Sequence, residues 1–391
     1  MDSFYRPTWV EISLDALRSN VAAFRSVLPQ AMKLMAVVKA DAYGHGAREV
    51  AQEALACGAD YLGVAFLDEA LELRAAGITA SILVLGYTPV AGILTAYAND
   101  ITLTVYSDEV LEALAGLHRE YASFGRPMKI HVKIDTGMGR IGLHDQEGAV
   151  RFIERAIRLE GVSVEGLFTH YARADEEDKA YTFEQHRRFE AIVEHFRSKG
   201  VVFPILHAGN SATGIEFPEL SYNMLRLGIS LYGLYPSEEV NRRKVELLPV
   251  MSFKTKPVMI KTLPPGSGIS YGTIYTTSGE ETIATLPVGY ADGYTRMLTS
   301  KAEVLVRGHR VPVVGKICMD QCMINVTDVP ELRLDDEVVL FGRQGSEVVS
   351  ADDLAAALGT INYEITCMVS NRVPRVYIRN GQPYKVVNRL L

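Results

Sequence analysis

Tyr61-Leu62-Gly63-Val64-Ala65-Phe66-Leu67-Asp68-Glu69-Ala70-Leu71-Glu72-Leu73-Arg74-Ala75-Ala76-Gly77 reads as one strand followed by one helix. The first five residues lack the polar alternation of a half-exposed strand, as a strand buried on both faces requires. From Leu67 the apolar positions follow a helical period, and Gly77 supplies a stop. The unit recurs on both sides. Strand-like runs fall at 34–38, 61–65, 82–85, 101–105, 129–134, 165–170, 203–207 and 222–226, with amphipathic stretches between them. Eight such repeats predict a closed parallel (β/α)8 barrel rather than an open doubly wound sheet, which usually has fewer strands.

After Lys244 the texture changes. Short runs at 252–262, 281–286, 302–306, 311–314 and 337–340 are separated by Gly, Pro and Asp turns. One helix stands out at 352–358, where Ser350 and Asp353 have capping-box spacing. The fold class is therefore α/β, with an N-terminal (β/α)8 barrel over 1–244 followed by a mainly-β C-terminal domain over 245–391. The boundary lies in the charged, proline-containing stretch from Asn241 to Pro249, as linkers often do. A length of 391 residues agrees, at ~100–200 residues per domain.

Composition narrows the class without naming the protein. With 48% hydrophobic and 22% charged residues, the chain suits a soluble protein with a large core. Its apolar runs fall far below the ~18 residues of a membrane span, so no membrane association is expected. Met1-Asp2-Ser3-Phe4-Tyr5-Arg6 opens with no basic stretch before an apolar run, so no signal peptide is expected either. Cys57, Cys318, Cys322 and Cys367 are too sparse for a disulfide scaffold, and reduced thiols in a cytoplasm are the default. A net charge of −7 without a Lys/Arg cluster argues against a nucleic-acid partner.

Barrels of this type place their chemistry at the carboxyl ends of the strands. Lys39 and Asp41 follow the first strand, Asp135 and Arg140 the fifth, and His170 the sixth. His207, Asn210 and Ser211 follow the seventh, Arg226, Gly228 and Ile229 the eighth. Lys39 ends the apolar run Met35-Ala36-Val37-Val38. It reads either as a lysine snorkelling past the strand end or as a desolvated amine of the kind Schiff-base chemistry uses. Asn210-Ser211 and Gly228-Ile229 read either as turn residues or as a phosphate cradle, which barrels often build after strands seven and eight. An amine opposite a phosphate cradle on one rim is what a pyridoxal-phosphate (PLP) site requires, and the combination favours a cofactor site.

At this point the chain resembles the alanine racemases of the barrel-fold PLP class, nearly end to end. The resemblance rests on Ala36-Val37-Val38-Lys39-Ala40-Asp41-Ala42-Tyr43-Gly44-His45-Gly46, Asp135-Thr136-Gly137-Met138-Gly139-Arg140-Ile141-Gly142, Asn210-Ser211-Ala212 and Arg226-Leu227-Gly228-Ile229. The second domain adds Ser270-Tyr271-Gly272, Pro287-Val288-Gly289-Tyr290-Ala291-Asp292-Gly293, Cys318-Met319-Asp320-Gln321 and Asn362-Tyr363-Glu364. The lysine motif is shared with other barrel PLP proteins, whereas the whole set is specific. One departure is Gly209, where the family more often has alanine.

The resemblance implies a homodimeric PLP enzyme that interconverts L- and D-alanine and supplies D-alanine for cell-wall peptidoglycan. Lys39 would carry the cofactor and act as one acid/base, and Tyr271 of the other subunit would act as the second. Tyr43, Ser211, Gly228, Ile229 and Tyr363 would hold the phosphate, with Asn210 and His170 also around the cofactor. Arg226 would face the pyridine nitrogen, and His170 would contact Tyr271. Arg140 and Met319 would meet the substrate carboxylate. In some relatives a lysine at the place of Lys133 carries a carbamate that orients Arg140. No metal is implied, since Cys318 and Cys322 have no matching Cys/His pair.

The chemistry accounts for these residue types. Inverting a carbon by proton exchange needs one acid/base on each face, and a lysine and a tyrosine on opposite sides suffice. A free phenol near pKa 10 is ionised to about one part in a thousand at pH 7, a deficit of ~4 kcal/mol. Tyr271 therefore needs a neighbour, and His170 backed by Arg226 would favour the phenolate. Arg226 can only donate to the pyridine nitrogen, which leaves a weak electron sink and suppresses transamination. Three other readings stay open: an amino-acid decarboxylase with a barrel and a β domain, a non-enzymatic PLP carrier, and a racemase of broad specificity. His45 and His207 read as histidines satisfying backbone groups.

Overall fold

A computed structural model describes residues 4–117, 124–329 and 331–391. After β1 (Thr8–Ser13), eight strands form one parallel sheet: β2 (Lys33–Val37), β3 (Tyr61–Val64), β4 (Ser81–Val84), β5 (Ile101–Val105), β6 (Met128–Lys133), β7 (Val162–Phe168), β8 (Ile205–His207) and β9 (Met224–Leu227). Their order is β8-β7-β6-β5-β4-β3-β2-β9. Each predicted run overlaps its strand. Every residue of β3 and β5 is buried, Thr102 and Thr104 included, as strands covered on both faces require. Between β8 and β9 the barrel is nearly closed. Asn223 N–H donates to Leu206 O at 3.2 Å, its Oδ1 accepts from Leu206 N–H at 2.8 Å, and Arg226 N–H donates to Gly209 O at 3.3 Å.

The chain forms two compact units. The barrel unit comprises Leu17–Ala42 and Ala47–Leu248, while the chain up to Ala16, Tyr43–Gly46 and Pro249–Leu391 form the other. The expectation that 1–244 lies whole in the barrel therefore needs correcting at two places. β1 pairs antiparallel with β10 (Met251–Thr255) and parallel with Arg375–Arg379, contacts too distant in sequence for any local pattern to reveal. Tyr43–Gly46 is the second exception, with backbone partners in the C-terminal region.

The second unit is built mainly from strands, as expected. Its capping box is present: Ser350 Oγ accepts from Asp353 N–H at 3.0 Å, and Asp353 Oδ2 accepts from Ser350 N–H at 2.8 Å. They start the helix Ala351–Leu358, which Gly359 ends in the left-handed conformation. A further helix, Asn362–Cys367, was not predicted, because six residues are too few to show a period. Among the described residues, no helix is long and apolar enough to cross a membrane.

Candidate active site

Lys39 follows the buried run Met35–Val38 and is itself only half-buried. The chain beyond it is unusual. Ala40, Asp41, Ala42 and Tyr43 all have φ between 52 and 54°, a left-handed turn made of residues with a Cβ. Such backbone costs about 1–2 kcal/mol per residue, so the turn must be held from outside. Glu69 accepts from Ala40 N–H at 2.6 Å and from Ala65 N–H at 2.6 Å. Asp41 Oδ1 accepts from Ala47 N–H at 2.8 Å. In the other unit, Arg375 donates to Gly44 O from Nη2 at 3.1 Å, and Tyr377 OH donates to His45 O at 3.1 Å. His45 Nδ1 lies 3.0 Å from Tyr43 O, the backbone contact its sequence position suggested.

Arg226, near the end of β9, is the hub of the barrel rim. Its terminal nitrogens meet five acceptors. Nη1 donates to His207 Nδ1 (3.0 Å) and His207 O (3.1 Å). Nη2 donates to Thr169 O (2.9 Å), His170 Nδ1 (2.9 Å) and Ala208 O (3.0 Å). The rim salt bridge that an arginine in this place commonly makes is absent among the described residues. Burial pulls the guanidinium pKa down to about 9, and at neutral pH it stays a cation. A guanidinium has no acceptor, so His170 Nδ1 must accept and its proton must sit on Nε2. Removal from water, then the facing Arg226 charge, holds His170 well below the usual imidazole range. His170 is thus a neutral donor. His207 turns its ring to the same guanidinium instead of satisfying backbone alone. The Nε–H of Arg226 meets no protein acceptor among the described residues.

Asn210 uses its side chain on the chain itself. Its Oδ1 accepts from Thr213 N–H and Thr213 Oγ1–H, both at 3.1 Å, which starts the helix Ser211–Glu216. Ser211 Oγ accepts from Gly228 N–H at 3.0 Å and Ser230 N–H at 3.3 Å, which leaves its own proton to donate. The first N–H groups of this helix and of the turn Ile229–Tyr232 have no intrahelical carbonyl to serve. Together they make a cradle of donors suited to an anion. Gly209 has a local explanation, since a Cβ there would lie 2.0 Å from Ser221 Oγ and 2.7 Å from Ser221 Cβ. Gly209→Ala is expected to destabilise the fold by about 1–3 kcal/mol through overpacking, and Ser221→Gly added to it should restore stability. Urea unfolding of the single and double variants checks this.

Asp135 and Lys133 come off β6. Burial alone would raise the Asp135 carboxyl, but N–H groups of Gly137 (3.0 Å) and Gly139 (3.1 Å) outweigh it and lower the pKa. The loop they fix leads to Arg140, which is exposed. Lys133 is 3% exposed, with Nζ 4.4 Å from the centre of the Phe168 ring. Burial first, then Arg226 and Arg140, push its amine well below the usual range.

Tyr271 sits in the second unit between the paired strands Gly268–Ile269 and Tyr275–Thr276. Ser270 Oγ–H anchors the loop to Lys316 O at 2.6 Å. The phenol is 71% exposed and Met319 53%. Tyr363, on Asn362–Cys367, packs against Tyr43 with ring centres 6.1 Å apart. Lys39, His170, Asn210, Ser211, Arg226, Gly228 and Ile229 thus lie on one rim, and Tyr43, Tyr271, Met319 and Tyr363 belong to the other unit.

Comparison with known proteins agrees over both units. Residues 12–236 match the family described as alanine racemase, N-terminal domain, and residues 250–377 match alanine racemase, C-terminal domain. The chain is similar to the alanine racemase of Desulfovibrio desulfuricans, with 50% identity covering 97% of this chain and 100% of that one. Among solved structures it is similar to alanine racemase from Clostridium difficile 630, with a TM-score of 0.93, 45% identity and full coverage of both chains. It is also similar to alanine racemase from Bacillus anthracis with bound L-Ala-P, with a TM-score of 0.91, 43% identity and 99% of each chain covered.

Proposed function

The chain belongs to the alanine racemase family, and from that premise we propose that it interconverts L- and D-alanine with pyridoxal 5′-phosphate carried on Lys39. The observation that carries the reading is Arg226: a buried cation, held by five acceptors, with one N–H left for an outside acceptor. A pyridine nitrogen is such an acceptor, and a phosphate suits the N–H groups of Ser211 and Ile229 and the Ser211 hydroxyl, which Gly228 N–H holds in place. Tyr43 and Tyr363 are proposed as further phosphate partners. Asn210 then shapes the cradle through its cap. When bound, the cofactor supplies a sink for the electron pair left on the α-carbon.

The proton steps fall to the chain. Lys39 serves one face of the α-carbon, and Tyr271 of a second copy serves the other. The exposure of Tyr271 and Met319 in the single chain supports a homodimer in which both act on a neighbouring barrel. His170, with its proton on Nε2, is suited to donate to a phenolate. Arg140 would orient the substrate carboxylate, with Met319 beside it. The D-alanine formed would feed cell-wall peptidoglycan. Incubation with L-alanine should yield D-alanine, measured by chiral chromatography; carbon dioxide without D-alanine would make the enzyme a decarboxylase.

Lys133 is proposed to carry a carbamate. Its amine is pushed towards the neutral form, and a neutral amine adds carbon dioxide with loss of one proton. The product anion would face the Arg226 and Arg140 charges. Native mass spectrometry should show one added carbon dioxide per chain, lost on Lys133→Ala. A plain amine at Lys133 contradicts the proposal.

A further inference from the structure

Behind Arg226 the barrel interior holds polar side chains that the proton steps do not use. Their hydrogen bonds form one line. His207 Nε2 lies 2.8 Å from His131 Nδ1, and His131 Nε2 lies 3.1 Å from Glu165 Oε2. Tyr61 OH donates to the same carboxylate oxygen at 2.5 Å, and Lys129 Nζ lies 3.4 Å from Glu165 Oε1. Both histidines are fully buried.

Only one arrangement of protons satisfies this line. Arg226 Nη1 can only donate, so His207 Nδ1 accepts and the ring proton sits on Nε2. That N–H donates to His131 Nδ1, which forces the His131 proton onto Nε2, aimed at Glu165. The contact of His131 with Glu165 is therefore a neutral N–H on a carboxylate rather than an ion pair. Burial agrees, pushing both imidazoles below their usual range. Burial alone would raise the Glu165 carboxyl, but His131 and Tyr61 hold it down at about 2, so the line ends on an anion.

We propose that Glu165 is a positioning residue for Arg226, acting through His131 and His207. The inference rests on the cofactor-facing role of Arg226. Without an acceptor at 165, the buried His131 Nε2–H is left unpaired, which costs about 1–3 kcal/mol. The ring relieves that cost by turning away from its place in the line, which loosens its contact with His207 Nε2. His207 then loses its outer partner, and Arg226 the fixed acceptor for Nη1.

The test uses the holoenzyme labelled with ¹⁵N-histidine, with ring tautomers read by NMR and racemisation measured in parallel. In the wild type His131 and His207 should both be neutral with the proton on Nε2. Glu165→Gln keeps an acceptor oxygen and should preserve both tautomers and kcat. Glu165→Leu should shift the ring-nitrogen signals of His131 and His207 and lower kcat about 10–100-fold, the scale seen when outer partners of a metal ligand are removed, with KM little changed. An Nδ1 proton on either ring in the wild type overturns the proposal, as do unchanged ring-nitrogen signals or an undiminished kcat in Glu165→Leu. Should Glu165→Leu not fold, the wild-type spectrum still decides. A wild-type enzyme with these tautomers but no alanine racemisation would instead sink the reading of the site.

Discussion

Lys39→Ala should abolish racemisation and the visible absorbance of the purified holoenzyme together. Turnover is expected to fall at least ~10³-fold, since one change removes both the proposed attachment point and the proposed acid/base, the latter worth ~10²–10⁴ on its own. The fold should survive. Lys39 is only half-buried, and the backbone beyond it is held by Glu69 and Asp41, neither of which touches the lysine side chain through those bonds. Thermal unfolding close to wild type, with the absorbance gone, is the expected pair of results. An absorbance band retained by the alanine variant would mean that another residue carries the cofactor.

Tyr271→Phe should slow removal of the α-proton from one enantiomer by ~10²–10⁴-fold, the usual effect of a positioned acid/base, and affect the other enantiomer far less. The phenol is exposed in the single chain, so losing its hydroxyl should change stability by no more than ~0.5 kcal/mol. Primary isotope effects with α-deuterated L- and D-alanine provide the measurement. In the variant they should become strongly unequal. Equal effects in both directions would remove Tyr271 as the base of one face.

Much of the barrel was legible because parallel strands buried on both faces leave largely apolar runs, as at Ile82–Val84. β1 was not, because its partners lie about 240 and 365 residues further along the chain. The rim residues were legible through their places after the strands. Their duties were less so: Asn210 serves its own helix, and His207 serves Arg226. His131 and Glu165 escaped notice altogether. A signal existed for His131, which alternates with Lys133 along β6 and so shares its face. Nothing local pointed to Glu165, whose role exists only once β3 meets β6 and β7 across two intervening strands of the barrel.

The left-handed turn after Lys39 bears on how the enzyme can be divided. Four residues in that conformation store about 4–8 kcal/mol, and the carbonyls that follow are gripped by Arg375 and Tyr377, more than 300 positions downstream. A polypeptide cut at the linker would keep the lysine but forfeit that grip. The loop would relax towards ordinary backbone and carry the amine's alignment with it. Modular as the halves look on paper, the loop that follows Lys39 is clamped by the far end of its own chain, and neither half is expected to work when expressed alone.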